Sequence, residues 1–195
     1  LDVFGVVPIY GAGIESVGTG TKDMLDRLGD PATAGRVRSV LTQLADQLGP
    51  IEFDELCRST ARCFGLSRVR ADRVAAIRAL LPDTARTTRS ELGEFVWPST
   101  VDPETWRGFR RNDGELNRKV TDMAPEEVLN AMRRYLQVGH AVGRSELLEV
   151  TAKLFGHDRM TAPVRDRLEA VLSIGLASGA IEDLGSEAFG PGHAG

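Results

Sequence analysis

No apolar run in this chain approaches the roughly 20 residues that a membrane-crossing helix needs, so no membrane partner is expected. The opening stretch, LDVFGVVPIYGAG, lacks the basic flank and long apolar core of a secretory leader. It also lacks an initiator Met, as a fragment or a processed chain would. Cysteine is scarce, with two among 195 residues. Cys57 and Cys63 stand six apart in one predicted helix, too far round it to pair with each other. They read as small core residues in a reducing compartment, and the cytoplasm is the expected location. His140, His157 and His193 are isolated, and none has metal-ligand spacing with another His or Cys. No metal and no cofactor is expected.

Signatures of catalysis are missing as well. There is no G-x-S-x-G elbow and no H-E-x-x-H helix. The acidic pairs Asp54-Glu55, Glu126-Glu127 and Glu182-Asp183 open predicted helices or edge strands. At a helix start such carboxylates answer the helix dipole and need not form an acid/base pair. Gly11, Gly13, Gly18 and Gly20 suggest a phosphate loop, but no Gly-Lys pair follows. The dinucleotide pattern fails too, because Ser16 stands where the third glycine belongs. No catalytic residue is assigned, and the chain is read as non-enzymatic.

What is present is a helical pattern with two interruptions. Hydrophobic content of 42% and charged content of 27% are those of a soluble globular chain, long enough for one domain or two small ones. The stretch Ile51 to Leu81 organises it. Leu56, Ala61 and Phe64 mark one apolar face, and Val74, Ile77 and Leu81 mark a second. Gly65 lies between them, where a helix C-terminus favours a residue that tolerates positive φ. Two helices joined by such a turn have the outline of a helix-turn-helix.

Around this stretch the elements fall in order. Residues 1–33 read as a flexible lead-in, with a short strand near Asp2 to Tyr10 and a short helix near Lys22 to Leu28. Val37, Leu41, Leu44 and Leu48 predict a helix from Ala34 to Leu48, stopped by Gly49-Pro50. Ile51 and Phe53 alternate with Glu52 as a short strand would, and Asp54 is placed to cap the next helix, which runs to about Phe64. A third helix is expected from Ala71 to Leu81, closed by Pro82. ARTTRSELGEFVW then predicts a hairpin that turns at Leu92-Gly93. Residues 34–98 thus have the order of a winged helix.

Residues 99–123 read as a solvated connector carrying Arg107, Arg110, Arg111, Arg118 and Lys119, with Trp106 and Phe109 packing back on a core. The chain then repeats itself. A shift of 91 residues lays Ser145–Arg159 over Asp54–Arg68, and seven of the fifteen positions match. The matches are Glu55/Glu146, Leu56/Leu147, Thr60/Thr151, Ala61/Ala152, Phe64/Phe155, Gly65/Gly156 and Arg68/Arg159. Val37, Leu41 and Leu44 correspond to Val128, Met132 and Tyr135, and Pro125 suits the first position of the second copy's opening helix. Leu184-Gly185 is expected to stand for Leu92-Gly93. The predicted fold class is mainly α with small β-hairpins, as tandem winged helix-turn-helix repeats. The second repeat spans 124–190, and 191–195 form a disordered tail.

GPIEFDELCRSTARCFGLSRVRADRV, GEFVWP, WRGFRR and the helix start Met123-Ala-Pro-Glu-Glu-Val128 carry a resemblance. Together they resemble the C-terminal domain of unknown function of large bacterial superfamily I helicase-like proteins. In those proteins an ATPase core and a restriction-endonuclease-like domain precede it. The resemblance covers roughly Arg36 to the end of the chain and rests on core and turn residues. It implies a setting in DNA processing or defence against foreign DNA. The helicase motifs and nuclease carboxylates are absent here, so neither activity passes to any residue of this chain.

Two functional readings stay open. Net charge is −4, yet the segment from Arg58 to Arg89 holds eight arginines against Asp72 and Asp83, a local +6 on an acidic chain. Arg68, Arg70 and Arg73 at the start of the third helix, with Arg86 and Arg89 on the wing, suit phosphate contacts. The outward face of that helix, Asp72, Ala75, Ala76 and Ala79, offers nothing to read a base edge. The nucleic-acid reading is therefore non-specific contact with a DNA backbone, and reversing Arg70 and Arg73 to Glu should abolish it with the fold intact. In the second copy Asp166 and Glu169 make that face repulsive to phosphate. The other reading is a protein-interaction or scaffolding module that docks on parent helicase-like domains or on a partner protein.

Overall fold

The computed structural model describes residues 19–111, 118–139 and 141–192. The expected strand near Asp2 to Tyr10, the glycines Gly11, Gly13 and Gly18, His140, and His193 with the last residues of the tail lie outside them. Among the described residues there are seven α-helices and two small antiparallel three-stranded sheets, with roughly half of the residues helical. They divide into two compact units, 19–106 and 107–192.

The first unit contains α1 (Lys22–Leu25), α2 (Pro31–Leu48), β1 (Ile51–Glu52), α3 (Phe53–Cys63), α4 (Ala71–Arg78), β2 (Thr87–Ser90) and β3 (Gly93–Val96). Helix α2 starts three residues before the predicted point. Asp30 caps it, accepting from the Thr33 amide at 2.9 Å and the Thr33 hydroxyl at 2.7 Å, and Pro31 takes the first helical position. Strand β1 is shorter than the alternation suggested, because α3 already begins at Phe53. Its cap is Glu52, whose carboxylate accepts from the amides of Asp54 at 3.1 Å and Glu55 at 2.8 Å. Asp54 therefore sits inside the first turn and is not the cap. Helix α4 ends at Arg78, short of the predicted Leu81. Pro82 has no amide to give the Arg78 carbonyl, and its ring clashes with a helical turn before it. The chain there tightens into turns from Leu80 to Ile77 at 2.9 Å and from Leu81 to Arg78 at 3.1 Å.

Val37, Leu41, Leu44, Leu56, Phe64, Ile77 and Val96 fill the first core. Full burial of each such side chain contributes about 1.5–3 kcal/mol. The lead-in reading is corrected for its described part. Leu25 is buried in that core, and the Gly20 amide donates to the Cys63 carbonyl at 3.3 Å. A Cβ on Gly20 would run into the Phe64 ring, so this approach requires glycine.

The second unit contains a 3-10 turn (Val120–Asp122), α5 (Pro125–Gly139), β4 (Val142–Gly143), α6 (Arg144–Leu154), α7 (Ala162–Ala177), β5 (Ile181–Gly185) and β6 (Ala188–Pro191). Its core holds Val128, Met132, Leu136, Leu147, Phe155, Leu168, Val171 and Phe189. Tyr135 is not the third core position of α5. Leu136 is, and the Tyr135 hydroxyl donates to Glu146 at 2.7 Å.

The internal repeat has matching local geometry. The sheets are ordered β1-β3-β2 and β4-β6-β5. Thr60 donates to the Leu56 carbonyl at 2.9 Å, and Thr151 to the Leu147 carbonyl at 2.7 Å. After α3, Gly65 has φ +80° and the Leu66 amide returns to Ala61 at 3.1 Å; after α6, Gly156 has φ +78° and the His157 amide returns to Ala152 at 3.0 Å. The correspondence breaks in the third helix, where α7 runs 16 residues against 8 for α4. Ser173 stands where the first copy has Pro82.

The hairpin equivalence is also corrected. In the first unit, Ser90 pairs with Gly93 around a turn at residues 91 and 92. In the second, Gly185 pairs with Ala188, and Ser186 and Glu187 form the turn with φ of 54° and 59°. Leu184-Gly185 thus closes a strand, at a register irregularity between Asp183 and Gly185, and does not replace Leu92-Gly93.

Finally, the described parts of the predicted connector, residues 99–111 and 118–123, are not a solvated linker. Residues up to 106 belong to the first unit, where Trp106 packs edge-on to Trp97 at 5.4 Å and the Ser99 amide donates to Asp46 at 2.7 Å. Residues 107–111 and 118–123 belong to the second unit, where Phe109 packs edge-on to Phe155 at 6.3 Å and Arg110 is 3% exposed.

Candidate nucleic-acid interface

Helix α4 turns Val74 and Ile77 into the core and leaves Asp72, Ala75, Ala76 and Ala79 exposed. The bare alanine face is as predicted from the helical spacing. The five arginines assigned to the interface are not equivalent around it.

Arg68, in the turn before α4, is exposed and makes no ion pair among the described residues. Arg70, at the cap position of α4, has its side chain 88% exposed and its Nε 3.5 Å from Asp72. Both are free to meet a phosphate, since an exposed pair of this kind is worth little. Arg73 is not. Its guanidinium donates to the Leu25 carbonyl and to the Asp26 carboxylate, and so fastens residues 19–30 to the helix. The double reversal of Arg70 and Arg73 would set a carboxylate against that carbonyl and Asp26, so a loss of binding in it would not separate a phosphate contact from a loosened attachment of residues 19–30.

On the hairpin side, Arg86 is about half exposed and 3.9 Å from Asp102. Arg89 is 74% exposed and donates to Glu94 at 2.8 Å. Glu94 also accepts from Arg78 at 2.6 Å, and Arg78 reaches Asp54 at 3.2 Å while lying 4.0 Å over the Phe53 ring. Burial raises the Glu94 pKa, but the hydrogen bonds from Arg89 and Arg78 outweigh it and hold the group below the ordinary carboxylate range. The bridge Arg78–Glu94–Arg89 fixes the hairpin to the C-terminal end of α4. Arg68 and Arg70 therefore stand at the N-terminal end of α4, and Arg89 is tied through Glu94 to Arg78, the last residue of the eight-residue helix.

The local +6 does not survive as a net charge. Residues 19–106 carry 12 basic and 13 acidic side chains, because Glu52, Asp54, Glu55, Glu91 and Glu94 answer the arginines. Asp54, Glu55 and Glu94 do so by direct ion pairs.

Among the described residues the second unit holds the most heavily buried ionisable cluster, and the sequence reading missed it. Glu127 is fully buried. Its Oε1 accepts from the Arg110 amide at 2.8 Å, Arg110 Nε at 2.9 Å and Arg118 at 3.1 Å, and its Oε2 accepts from Arg110 and Arg118, each at 2.9 Å. Burial pushes the pKa up, but the Arg110 charge and hydrogen bonds, seconded by Arg118, bring it down to about 2. A carboxylate so saturated has no proton to give near neutral pH and no lone pair turned to a substrate. It is a latch, not an acid or base. A faint signal existed, since Glu127 shares its helix face with Ala124 and Ala131, both buried. Arg78 had no signal beyond its charge.

His157 and Cys57 have structural surroundings as well. His157 Nε2 accepts from the Val120 amide at 3.2 Å. Burial pushes the Cys57 thiol up to about 12, which makes it unreactive. Among the described residues no group of three or more His, Cys, Asp or Glu is placed to hold a metal, and no helix is long and apolar enough to cross a membrane. Compared with known proteins, the chain matches no family model, no curated protein and no solved structure.

Proposed function

We propose that the chain is a non-catalytic nucleic-acid-binding module of two winged helices, which touches the DNA backbone without reading sequence. The winged-helix reading is supported by the order helix, short strand, helix, helix, hairpin and the strand order β1-β3-β2, both found again in the second unit. The observation that carries the binding reading is the α4 face: bare alanines with exposed Arg68 and Arg70 at the helix start and the exposed Arg89 on the hairpin tied to the helix end, with no Asn, Gln or Arg at the centre of the face. Arg68, Arg70, Arg86 and Arg89 are the phosphate contacts in this proposal, and Arg73 is a positioning residue. The setting is that of an accessory part of a helicase-like DNA-processing or defence protein.

The test is fluorescence anisotropy of labelled duplex and single-stranded DNA over a salt series. The intact chain should bind at low salt and weaken steeply as salt rises. Replacing Arg68 and Arg70 with Glu should weaken binding roughly sixtyfold or more at 0.1 M salt, the value for two lost contacts. No binding at low salt, or unchanged binding in that variant, overturns the proposal.

One observation favours a second reading, protein interaction or scaffolding. The large apolar side chains that stay exposed among the described residues are Val138, Ile174 and Leu184, and all three belong to the second unit.

A further inference from the structure

The seven identities of the repeat are not all explained by folding. Leu56/Leu147, Thr60/Thr151, Ala61/Ala152 and Phe64/Phe155 are buried in both units. Gly65/Gly156 adopts positive φ in both. Glu55 accepts from Arg62 at 2.7 Å, and Glu146 from Tyr135 at 2.7 Å. Arg68/Arg159 is left over. Both side chains are exposed, and neither makes an ion pair or side-chain hydrogen bond among the described residues. The fold makes no use of an arginine at this place, yet both copies carry one.

Around Arg159 the second unit gathers further unpaired cations. Lys153 stands in the last turn of α6, in register with Arg62 of the first unit, and Arg165 stands in the first turn of α7. A short hydrogen-bonded chain fixes the corner, from the Thr161 amide to the Arg159 carbonyl at 3.1 Å and from the Arg165 amide to the Thr161 carbonyl at 2.9 Å. Lys153, Arg159 and Arg165 are all exposed and unpaired among the described residues. Asp158 and Asp166 share the corner, and it keeps a positive balance of three against two. Of the acidic residues that make the α7 face repulsive, Asp166 is counted in that balance, and Glu169 lies further along the helix and pairs with Arg144.

We propose that the α6–α7 corner is a second contact for a nucleic-acid phosphate backbone, with Arg159 its principal cation and Lys153 and Arg165 beside it. This rests on the nucleic-acid reading of the first unit and extends it to the second. The chain then holds a nucleic acid at two matching corners, and its affinity exceeds that of either alone.

The experiment is anisotropy of the full chain with labelled duplex DNA, comparing wild type, Arg159→Gln and the Arg68→Glu/Arg70→Glu variant. Thermal melting of each variant checks that it folds, and Arg159→Lys serves as a rescue. Arg159→Gln should weaken binding roughly eightfold at 0.1 M salt and lower the salt slope by about 0.9, as for one lost contact. Arg159→Lys should restore most of both. If wild type binds, the first-unit variant weakens it and Arg159→Gln leaves affinity and slope unchanged, this inference falls and the first-unit reading stands. If wild type binds no nucleic acid, both fall together.

Discussion

Arg36 and Glu127 stand 91 residues apart, at corresponding places in the opening helices of the two units. Arg36 is exposed, and Glu127 is wholly buried. The helices around them are alike, so the difference lies in what is laid over them. In the first unit the preceding segment brings an apolar side chain, Leu25, and a carboxylate, Asp26, which Arg73 grips from α4. In the second it brings Arg110 and Arg118, which need an anion and find it in Glu127. In both units an arginine of the third helix also takes a carbonyl of that segment: Arg73 takes Leu25, and Arg167 takes Met123. One three-helix, three-strand frame is thus closed by two chemistries, and the segment before the frame decides which positions become core.

The sharpest way to break this comparison is to remove the buried anion. Glu127→Ala leaves two arginines without their partner and should destabilise the second unit by about 3–5 kcal/mol. Hydrogen exchange read by mass spectrometry should show protection lost across α5 to β6 and kept across α2 to β3. Equal loss in both units, or loss in neither, would show that the latch does not belong to the second unit alone.

Acid tests the same latch without a mutation. The folded pKa of Glu127, about 2, lies below its ordinary 4.5. A depressed carboxylate contributes stability that is fully present above the unfolded value and lost as pH falls through the folded one. The second unit should therefore lose stability between about pH 4.5 and pH 2, ahead of the first. In the first unit the depressed carboxylates are Asp30, set by its Thr33 hydrogen bonds, and the partly buried Glu94. A first unit that melts in acid before the second would refute the assignment.

The smallest effect tests what the units share. Gly65→Ala and Gly156→Ala place a side chain at φ of +80° and +78°, and at Gly65 the space around the Cβ is open. The backbone conformation resists in both, so each should cost about 1–2 kcal/mol, by equal amounts in chemical denaturation. A twofold difference between them would mean that the two turns are less alike than their dihedrals.

The parts of this fold legible from the sequence are those set by neighbours along the chain. The spacing of Val37, Leu41 and Leu44, the Gly65 and Gly156 turns, and the proline at the start of α5 are local signals. Among the described residues the elements lie where their own residues put them, apart from ends moved by Asp30, Glu52 and Pro82 and the second hairpin's turn at Ser186-Glu187. What stayed hidden depends on contacts distant in sequence. Arg73 looks like a surface arginine until Leu25, 48 residues earlier, is set beside it. Arg110 and Arg118 look like the charges of a linker until Glu127 is found between them. Of the candidate interface, the bare alanine face followed from helical spacing. The pairing of Arg78 and Arg89 through Glu94 did not, because a cross-element ion pair leaves no period in the sequence.

The proline that stops α4 has a further consequence through its absence from α7. With Ser173 in its place, α7 runs 16 residues, a rod of about 24 Å. Arg165 stands near its start, and Ile174 lies nine residues on, about 14 Å further along the axis. A ligand gripping the first end and a partner covering the second would not compete for space. The longer helix separates two potential tenants that an eight-residue helix would force into one.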